Sequence, residues 1–586
     1  MPGGVAVTGS GCTNAVAFDT AEAGCVPASG TIHYAPGCPV GTQTAYDLTV
    51  PDWQSGPSDI AAVTLPRVVT SGGVSTAAAK IYAFAVPVDA SCTVTSVDLP
   101  DVGNAVRVTV AGSGTSAVTQ AMPGLHIFGV ALRNTTTATP EPTGGPVSSP
   151  AGQAWTGAFA SPVEDAFNPP AGQSWGNQTV RIGLSPNSSA PAGAQLRIRL
   201  SNPGFVSGDG TGPLVIGAAT VAPASSGAVP AQPPVALTFG GTGSATIPQG
   251  GDVYSDPLAL PFAVTAGHEL LVSLWIKNAY LPTLPENSWA SGAQTWFAPS
   301  TVPNQTGDTT GTPFTGPGSS FAGATVVLTG VDVTTPAVTL NSTASPGAPT
   351  VVVAGNNLID ASTAGAISDA SDAPSQRLAG RVAAQSGAAG FGVIDAGIQA
   401  NQVMSDGNSS GGVSLLARLD RDILAEPNVG TVIIDEGLED LLQGAGGTLT
   451  AGNLADAYQA LEGQLNAFGI NVIIAALTPC AGYVNSTAGD SCSTGTASVD
   501  AGRQDVNSTA ISSTPFCYAD FNAAVSTGAS PETLAAGDNA GDGVNLTLSG
   551  PSSGYAALTP AVFSGNNGGG CALSPSFYPL PTSTGS

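Results

Sequence analysis

The sequence predicts a multidomain protein in which two all-β domains precede an α/β domain built on a parallel sheet. Several segments in the first 345 residues alternate polar and apolar side chains with a period of two, as strands of a β-sandwich do. After residue 346, short β-branched runs alternate with helix-like segments. Such alternation indicates a doubly wound sheet. The length of 586 residues also suits a division into about two to four domains.

The composition excludes several classes of function. Only 9% of the residues are charged, yet the formal net charge is −26, and 42% of the residues are hydrophobic. The chain is therefore too apolar to be disordered. Its 13 Lys and Arg residues are too few for a phosphate-binding surface, so we expect no nucleic-acid partner. No run of eighteen apolar residues occurs, and we expect no transmembrane segment.

Residues 1–150 are predicted to form the first β-sandwich. Lys80–Val88, Thr95–Pro100 and His126–Leu132 have the alternation of strands. Their arrangement resembles jelly-roll sandwiches attached to bacterial carbohydrate-active enzymes. Thr135–Pro150 is rich in Thr, Pro and Gly and is interpreted as a linker.

Residues 151–345 are predicted to form a second sandwich. Its candidate strands are Gln178–Leu184, Gln195–Asn202, Leu237–Phe239 and Glu269–Ile276, each with alternating polar and apolar residues.

Residues 346–586 are predicted to form the α/β domain. The strand candidates are Val351–Ala354, Thr431–Ile434 and Ile470–Ile474. An apolar stripe for packing on the sheet is formed by Leu454, Tyr458, Leu461 and Leu465. The helix candidates are Ser375–Ala384, Val413–Leu424, Leu454–Phe468 and Gly554–Phe563.

Three motifs of this domain fall where strands or loops end. They are Gly355-Asn356-Asn357, Glu436-Gly437-Leu438-Glu439-Asp440 and Asp542-Gly543-Val544-Asn545. Together they resemble the Gly-Asp-Ser, Gly-x-Asn-Asp and Asp-Gly-x-His motifs of SGNH (GDSL-type) ester hydrolases, which have a flavodoxin-like fold. Flanking segments also match actinobacterial-type secreted members, namely Leu416–Leu424, Ala476–Cys480 and Gly554–Leu558. The β domain before the motifs resembles the one that precedes the catalytic unit in some of these enzymes.

The resemblance implies a degenerate active site. Asn357 stands at the position of the nucleophilic Ser, Glu439 at that of the oxyanion-hole Asn, and Asn545 at that of the general-base His, while Gly437 and Asp542 are retained. A Ser nucleophile needs an adjacent base, and an amide cannot accept its proton at neutral pH. The three histidines are His33, His126 and His268, so none follows residue 268.

We therefore expect an SGNH-like protein without esterase activity and without a cofactor, whose role is binding or structural. Glycan recognition and self-assembly into an extracellular structure are the two candidate roles, because few charges need desolvation when such surfaces pack. The alternative is an active carbohydrate or lipid ester hydrolase of the same family. That alternative requires a Ser within hydrogen-bonding distance of a His at the carboxyl edge of the sheet.

The cysteines predict disulfides and a secreted protein. Eight cysteines occur in two groups of four, one near the N-terminus and one in the α/β domain, which favours bridges within each domain in an oxidising compartment. Zinc ligation by these cysteines is the weaker interpretation, because no C-x2-C pair exists and His is scarce. The predicted disulfide residues are Cys12, Cys25, Cys38, Cys92, Cys480, Cys492, Cys517 and Cys571.

Nine Asn-x-Ser/Thr triplets are candidates for glycosylation if the source adds N-glycans. Chance alone would give about five or six in a chain this rich in Ser and Thr. The candidates are Asn134, Asn177, Asn187, Asn304, Asn341, Asn408, Asn485, Asn507 and Asn545.

Several other groups have two interpretations. Asn356 and Asn357 suit a tight turn better than a ligand pocket. Asp435, Glu436, Glu439 and Asp440 are first interpreted as solvated or helix-N-terminal carboxylates, with a bound cation second and glycosidase chemistry a distant third. Asp538 and Asp542 are weak calcium candidates in a Gly/Asp turn, so no metal is predicted. The aromatic residues Trp155, Trp175, Trp275, Trp289 and Trp296 suit a sandwich core better than a sugar-binding face.

Overall fold

The computed structural model describes, with short gaps, residues 153–356, 392–405, 412–443, 451–483, 498–511 and 517–547, besides residue 492 and short stretches between 25 and 121. The chain divides into two compact units, Met1–Glu141 and Pro142–Ser586. Within the described ranges, no helix combines the length and the apolar character needed to cross a lipid bilayer.

The described part of the first unit consists of short antiparallel strands. They are β1 (Cys25–Tyr34), β2 (Gln43–Pro51), β3 (Val63–Leu65), β4 (Val68–Thr70), β5 (Gly73–Ser75), β6 (Ala79–Ile81), β7 (Val94–Asp101), β8 (Val108–Thr109) and β9 (Gln120–Ala121). The main sheet has the order β2-β1-β7. A disulfide between Cys38 and Cys92 joins the loop after β1 to the residues before β7. The predicted strand Thr95–Pro100 lies within β7, whereas His126–Leu132 lies outside the described residues.

The second unit begins with antiparallel strands. They are β10 (Gln153–Ala160), β11 (Asp165–Phe167), β12 (Gln178–Leu184), β13 (Gln195–Asn202), β14 (Leu214–Ser226), β15 (Val229–Pro230), β16 (Val235–Leu237), β17 (Ala245–Ile247), β18 (Gly251–Tyr254), β19 (Leu258–Ala259), β20 (Leu270–Ile276), β21 (Leu284–Asn287), β22 (Ala293–Phe297), β23 (Ser320–Ala322), β24 (Thr325–Val326), β25 (Leu328–Pro336), β26 (Val338–Leu340) and β27 (Thr343–Ser345). A single 3-10 turn, Thr312–Phe314, lies between β22 and β23.

Two of these antiparallel sheets enclose one hydrophobic core. One sheet has the order β10-β25-β13-β18 and the other the order β15-β14-β20-β12-β22-β23. Alternate residues of β12 and β13 point into the shared core, which is how two sheets form a sandwich. The core residues of these two strands are Val180, Ile182, Leu184, Leu196, Ile198 and Leu200.

The strands β12 and β13 are buried on both faces, contrary to the half-buried strands that their alternation predicts. Arg181, Arg197 and Arg199 occupy the polar positions and are at most 4% exposed. Arg197 pairs with Asp332 at 2.7 Å, and Arg181 lies over the ring of Phe314 at 4.2 Å. Buried guanidinium groups are tolerated here because carboxylates, carbonyls and aromatic faces meet them.

A parallel sheet of five strands follows in the same unit. Its strands are β28 (Thr350–Gly355), β29 (Gly392–Gly397), β30 (Val429–Asp435), β31 (Asn471–Ala475) and β32 (Cys517–Ala519). The order β29-β28-β30-β31-β32 has every neighbouring pair parallel. This is the doubly wound order of flavodoxin-like folds. The structure thus confirms a parallel sheet after two antiparallel ones, and it adds β29 and β32, which the sequence did not predict.

The described helices of this sheet are short except for one. They are α1 (Leu415–Leu419), α2 (Leu438–Gln443), α3 (Ala451–Ala467), α4 (Val499–Asp505) and α5 (Phe521–Val525), with π-helical turns at Asp420–Leu424 and Val506–Ile511. The predicted stripe of α3 is confirmed, since Leu454, Tyr458, Leu461 and Leu465 are all fully buried in the core beside the sheet. The predicted helices Ser375–Ala384 and Gly554–Phe563 lie outside the described residues.

The sandwich and the parallel sheet meet along β10 and β29. The amide of Gly157 donates to Thr350 Oγ1 at 2.9 Å, and Thr156 Oγ1 donates to Ala348 O at 2.7 Å. A Cβ on Gly392 would come 2.4 Å from Gly157 O, so only glycine permits this approach of the two backbones. Arg199 adds a buried ion pair with Glu426.

Candidate functional site

The carboxyl edge of the parallel sheet is the natural candidate site. Gly355 at the end of β28 is level with Asp435 at the end of β30. The amide of Asn356 donates to Asp435 O at 3.3 Å. Strand β28 pairs with β29 on one side and with β30 on the other, so the direction of the chain across the sheet reverses at β28. Ligands of doubly wound sheets bind outside the carboxyl ends of the strands at such a point. Asn356 is buried here, whereas Asn357 lies outside the described residues.

Three carboxyl groups are buried at this edge, which corrects the solvated half of the first interpretation, while its helix-N-terminal half holds for Glu439 and Asp440 in the first turn of α2. Asp435 is 2% exposed, and Glu436 and Asp440 are fully buried. Burial raises the pKa of Asp435 to about 7. Burial likewise raises the pKa of Asp440 to about 7, although the amides of Val403 and Met404 donate to it and lower the pKa in part. Asp440 thereby ties the loop after β29 to the first turn of α2.

The side chain of Glu436 holds its proton most strongly. Burial raises the pKa of Glu436 well above its usual range. Arg418 lowers that pKa in part, while Asp440, Asp435 and Glu439 raise it further. Neither carboxyl oxygen accepts a hydrogen bond from the protein, and a charged form without such bonds is disfavoured in a buried site. Glu436 is therefore neutral at neutral pH, whereas Asp435 and Asp440, with pKa values of about 7, are partly ionised there.

Arg418, in α1, is the cation that faces this cluster. Its Nε donates to Asn401 Oδ1 at 2.9 Å, and Nη1 donates to Ala396 O at 2.6 Å and to Asp422 Oδ2 at 3.3 Å. Its Nη2 makes no hydrogen bond and lies 3.8 Å from Glu436 Oε2. The guanidinium thus holds together the loop after β29 and the turn that leads into β30.

The turn after β30 requires glycine. Gly437 has φ 123°, and a Cβ there would come 2.2 Å from the hydroxyl of Tyr458. That hydroxyl donates to Glu436 O at 2.5 Å, so α3 is fixed to the turn. Glycine at position 437 is therefore required by packing, whatever the chemistry of the edge. Glu439 is half-buried in the first turn of α2, where its carboxyl raises the pKa values of Glu436 and Asp440.

The third motif forms a closed hydrogen-bonded turn. Asp542 Oδ1 accepts from the amides of Val544 and Asn545, and Asn545 Nδ2 donates to Asp542 Oδ2. Burial would raise the pKa of Asp542, but these hydrogen bonds outweigh it and hold the pKa below its usual range. The Oδ1 of Asn539 accepts from the amides of Gly541 and Gly543. The carboxyl oxygens of Asp542 and the Oδ1 of Asn539 are therefore engaged by the chain itself, as in a Gly/Asp turn.

Two of the predicted disulfides are present among the described residues, Cys38–Cys92 and Cys480–Cys492. Cys517 is also disulfide-bonded. The side chains of Cys12, Cys25 and Cys571 lie outside the description. In the described part of the chain, Cys480, Cys492 and Asp500 are the one group of three metal-binding side chains whose ligand atoms lie within 4.8 Å, and the disulfide occupies both sulfurs.

The glycosylation candidates differ in their surroundings. The amide nitrogens of Asn177, Asn507 and Asn545 donate to Ser300 O, Leu477 O and Asp542 Oδ2, and a glycan would have to replace these bonds. Asn304 is exposed and Asn187 is half-buried. The candidates Asn134, Asn341, Asn408 and Asn485 lie outside the described residues.

The described histidines and tryptophans lie in the β-rich parts of the chain. His268 is exposed on the turn before β20, and His33 contacts Asp98 at 2.8 Å in the first unit. His126 and Trp289 lie outside the described residues. Core positions are occupied by Trp155, Trp175 and Trp296, while Trp275 is half-buried. Trp175 stacks on Phe167 and Phe297 with ring centroids 4.7 and 4.5 Å apart, which favours the core interpretation.

Comparisons with known proteins give a distant structural likeness. No family model and no curated protein matches the chain. Among solved structures, a GDSL-like lipase from Bacteroides thetaiotaomicron is 15% identical over 36% of this chain and 85% of its own, with a TM-score of 0.26. An acetylxylan esterase from Geobacillus stearothermophilus is 17% identical over 36% of this chain and 91% of its own, also with a TM-score of 0.26. Likeness at this level assigns neither an activity nor site residues to the chain.

Sequence reasoning located the acidic residues of the edge but not the basic residue that faces them. Arg418 and Asp422 lie in a segment that was predicted as a helix and noted as a flanking match, and neither side chain was given a role. The signal that could have found them is a pair of opposite charges four residues apart beside buried leucines. Asn401 gave no such signal, and Tyr458 was predicted only as part of an apolar stripe, because the polar partners of both side chains are distant in sequence.

Proposed function

We propose that the chain is a secreted protein whose SGNH-like α/β half does not hydrolyse esters and instead serves binding or structural assembly. The observation that supports this most is the state of Asn545. It is an amide where the resembling family has its general base, and that amide donates to Asp542. An amide engaged in this way cannot accept the proton of an attacking hydroxyl.

The acidic side chains at the sheet edge also support the absence of ester hydrolysis. Burial raises the pKa of Glu436 well above its usual range, so this carboxyl group is protonated at neutral pH. A protonated carboxyl group is not a base for a serine hydroxyl. Glu439, at the position of the oxyanion-hole Asn, has a carboxyl group, which offers no N–H donor to a developing oxyanion.

The compartment is inferred from the cysteines. Cys38–Cys92 and Cys480–Cys492 link residues 54 and 12 positions apart in sequence, one pair in each compact unit. Such bonds persist in oxidising compartments, so secretion is the proposed location. The candidate roles there are recognition of a glycan and packing into an extracellular assembly, for which a chain with only 9% charged residues is suited.

Hydrolysis of p-nitrophenyl acetate tests the loss of activity. The purified chain should give the rate of the buffer blank between pH 6 and 9, while a serine esterase in the same assay gives signal. Turnover above the blank that a serine-directed phosphonate abolishes, with the phosphonate attached to this chain, would establish the alternative, an active ester hydrolase, and remove the proposal. Turnover without attachment of the phosphonate to this chain would mark a contaminant and leave the proposal standing.

The two roles are separated by binding measurements. Light scattering at high protein concentration should show species larger than the monomer if assembly is the role, and a monodisperse monomer contradicts that role. A glycan array should show discrete ligands if recognition is the role, and a flat response contradicts it.

A further inference from the structure

A shallow depression opens on the sandwich of the second unit. Its wall contains four hydroxyl or amide side chains and no charged group, and it is lined by Ser174, Gly176, Asn177, Gln178, Ala279 and Ser300. A ligand there would meet hydrogen-bonding groups but no ion. Such a wall selects a neutral polar molecule, because a charged one would lose hydration without gaining a partner.

The amide side chains in this wall are held in place by the protein. Asn177 Nδ2 donates to Ser300 O at 3.2 Å, and Gln178 Nε2 donates to Ser174 O at 3.0 Å. These bonds orient the two carbonyl oxygens, which are the acceptors that remain. Groups fixed before binding lose less conformational entropy when a ligand arrives.

Tyr280 is displayed beside the depression on an equally rigid segment. It follows Ala279 of the wall and is 68% exposed, the most exposed large hydrophobic side chain in the described part of the chain. On one side, Asn278 Oδ1 accepts from the amide of Val215 at 2.7 Å. On the other side, the amide of Leu281 donates to Ser174 Oγ at 2.8 Å. The backbone that carries this ring is therefore fixed at both ends.

We propose that Tyr280 and the adjoining depression form a binding site for a neutral saccharide. The exposed aromatic ring offers an apolar face for the C–H surface of a sugar ring, and the amide oxygens of Asn177 and Gln178 together with the hydroxyl of Ser300 bond its hydroxyls. The hydroxyl of Ser174 is engaged by Leu281 and Gly176 and only shapes the wall. A formal net charge of −26 repels acidic polysaccharides and leaves neutral ones as the favoured class. This inference rests on the glycan-recognition branch of the proposed function and places it on residues outside the sheet edge.

Affinity electrophoresis tests the site with the full chain. The protein, produced in a bacterial periplasm so that disulfides form without N-glycans, is run in native gels containing xylan, β-glucan, mannan or, as the acidic probe, polygalacturonate. We expect retardation by at least one neutral polysaccharide and none by polygalacturonate. Tyr280→Ala should weaken the binding about tenfold. Asn177→Gly, which keeps the left-handed backbone at φ 57°, should weaken it as well.

Phe468→Ala is the matched control, because Phe468 is an exposed aromatic residue (45%) that follows α3 and does not line the depression. It should be retarded like the wild type. The inference is overturned if none of the three neutral polysaccharides retards the wild-type protein. It is also overturned if Tyr280→Ala and the wild type are retarded equally, or if polygalacturonate retards the protein more than the neutral polysaccharides do. The esterase assay is independent of these gels, so failure of this site and failure of the inactive-hydrolase proposal are distinguishable.

Discussion

The side chain of Glu436 is buried 3.8 Å from the guanidinium of Arg418, yet no hydrogen bond joins them. The cation is held instead by Asn401, Ala396 O and Asp422. Arg418 therefore organises the backbone around the sheet edge rather than neutralising Glu436, and the carboxyl group remains protonated. This relationship leads to the first prediction.

Arg418→Ala should reduce the free energy of unfolding by about 3 to 5 kcal/mol, because it leaves Asp422 buried without one of its cations and removes donors from Asn401 and Ala396 O. Glu436→Gln, in contrast, replaces one neutral group by another and should cost less than about 1 kcal/mol. Urea unfolding followed by circular dichroism at pH 7 measures both. Equal losses in the two variants would mean that Glu436 is ionised and paired with Arg418.

Stability should fall as the pH rises from about 4 to about 7. Asp435 and Asp440 have pKa values of about 7 in the folded chain because of burial, against about 3.9 when unfolded. Below the pKa of the unfolded chain, both carboxyl groups are protonated in the folded and the unfolded state alike, so stability is highest there. Above it the unfolded state loses protons first, so each group weakens folding by up to about 1.4 kcal/mol per pH unit until its folded pKa is passed. Urea unfolding across this range measures the slope.

Asp435→Asn should flatten that slope, because the amide does not titrate. Asp256→Asn is a control of opposite sign. The hydroxyl of Thr238, followed by the amides of Gly241 and Gly240, lowers the pKa of the exposed Asp256. Ionised Asp256 therefore stabilises the folded chain above about pH 4, and this stabilisation is lost in acid. The Asp256→Asn variant should differ from the wild type only at the higher pH values. An unchanged slope in Asp435→Asn would contradict the burial account.

Arg199 should be essential to the junction of the sandwich and the parallel sheet. It pairs with Glu426, and Arg199 Nη1 donates to Arg421 O at 3.2 Å. Arg199→Met should cost about 3 to 5 kcal/mol, because Glu426 would remain buried without its cation. The double variant Arg199→Met/Glu426→Met should recover most of this loss. Calorimetry of the three proteins measures the effect, and a double variant less stable than Arg199→Met would contradict the prediction.

Gly437→Ala should destabilise the turn after β30 for two separable reasons. The new Cβ meets the Tyr458 hydroxyl at 2.2 Å, and φ 123° is unfavourable for any side chain. Tyr458→Phe removes the first problem but also the hydrogen bond to Glu436 O. In a double-mutant cycle the combined variant should therefore be more stable than the sum of the single losses indicates. Strict additivity would show that the hydroxyl does not meet the new methyl group.

The sequence predicted strands well where residues alternated regularly, as in β12 and β13, or where an apolar run was continuous, as in β28, β30 and β31. β12 and β13 agree with prediction to the residue, and β28, β30 and β31 to within two. It missed β29, whose Gly392 and Gly397 flank a short run containing Asp395, and β32, which has only three residues. Both are specified by pairing with neighbouring strands rather than by their own pattern.

The candidate site was only partly predictable for a similar reason. The motif at Glu436–Asp440 was located, and its carboxyl groups were interpreted as solvated or helix-N-terminal, but their burial was missed because composition does not reveal it. What buries them is α1, with Arg418, and α3, with Tyr458, and these residues have no short-range relation to the motif. Long-range packing, rather than local propensity, decides the protonation state of the edge.

The central claim is that no activated serine lies at the carboxyl edge of the parallel sheet. Intact-protein mass spectrometry after incubation with a fluorophosphonate tests it most directly, since this reagent forms a stable adduct with an activated serine. The account predicts an unmodified mass under conditions in which a serine esterase is fully labelled. A stoichiometric adduct that maps to a serine near the end of β28, accompanied by loss of ester hydrolysis, would contradict it.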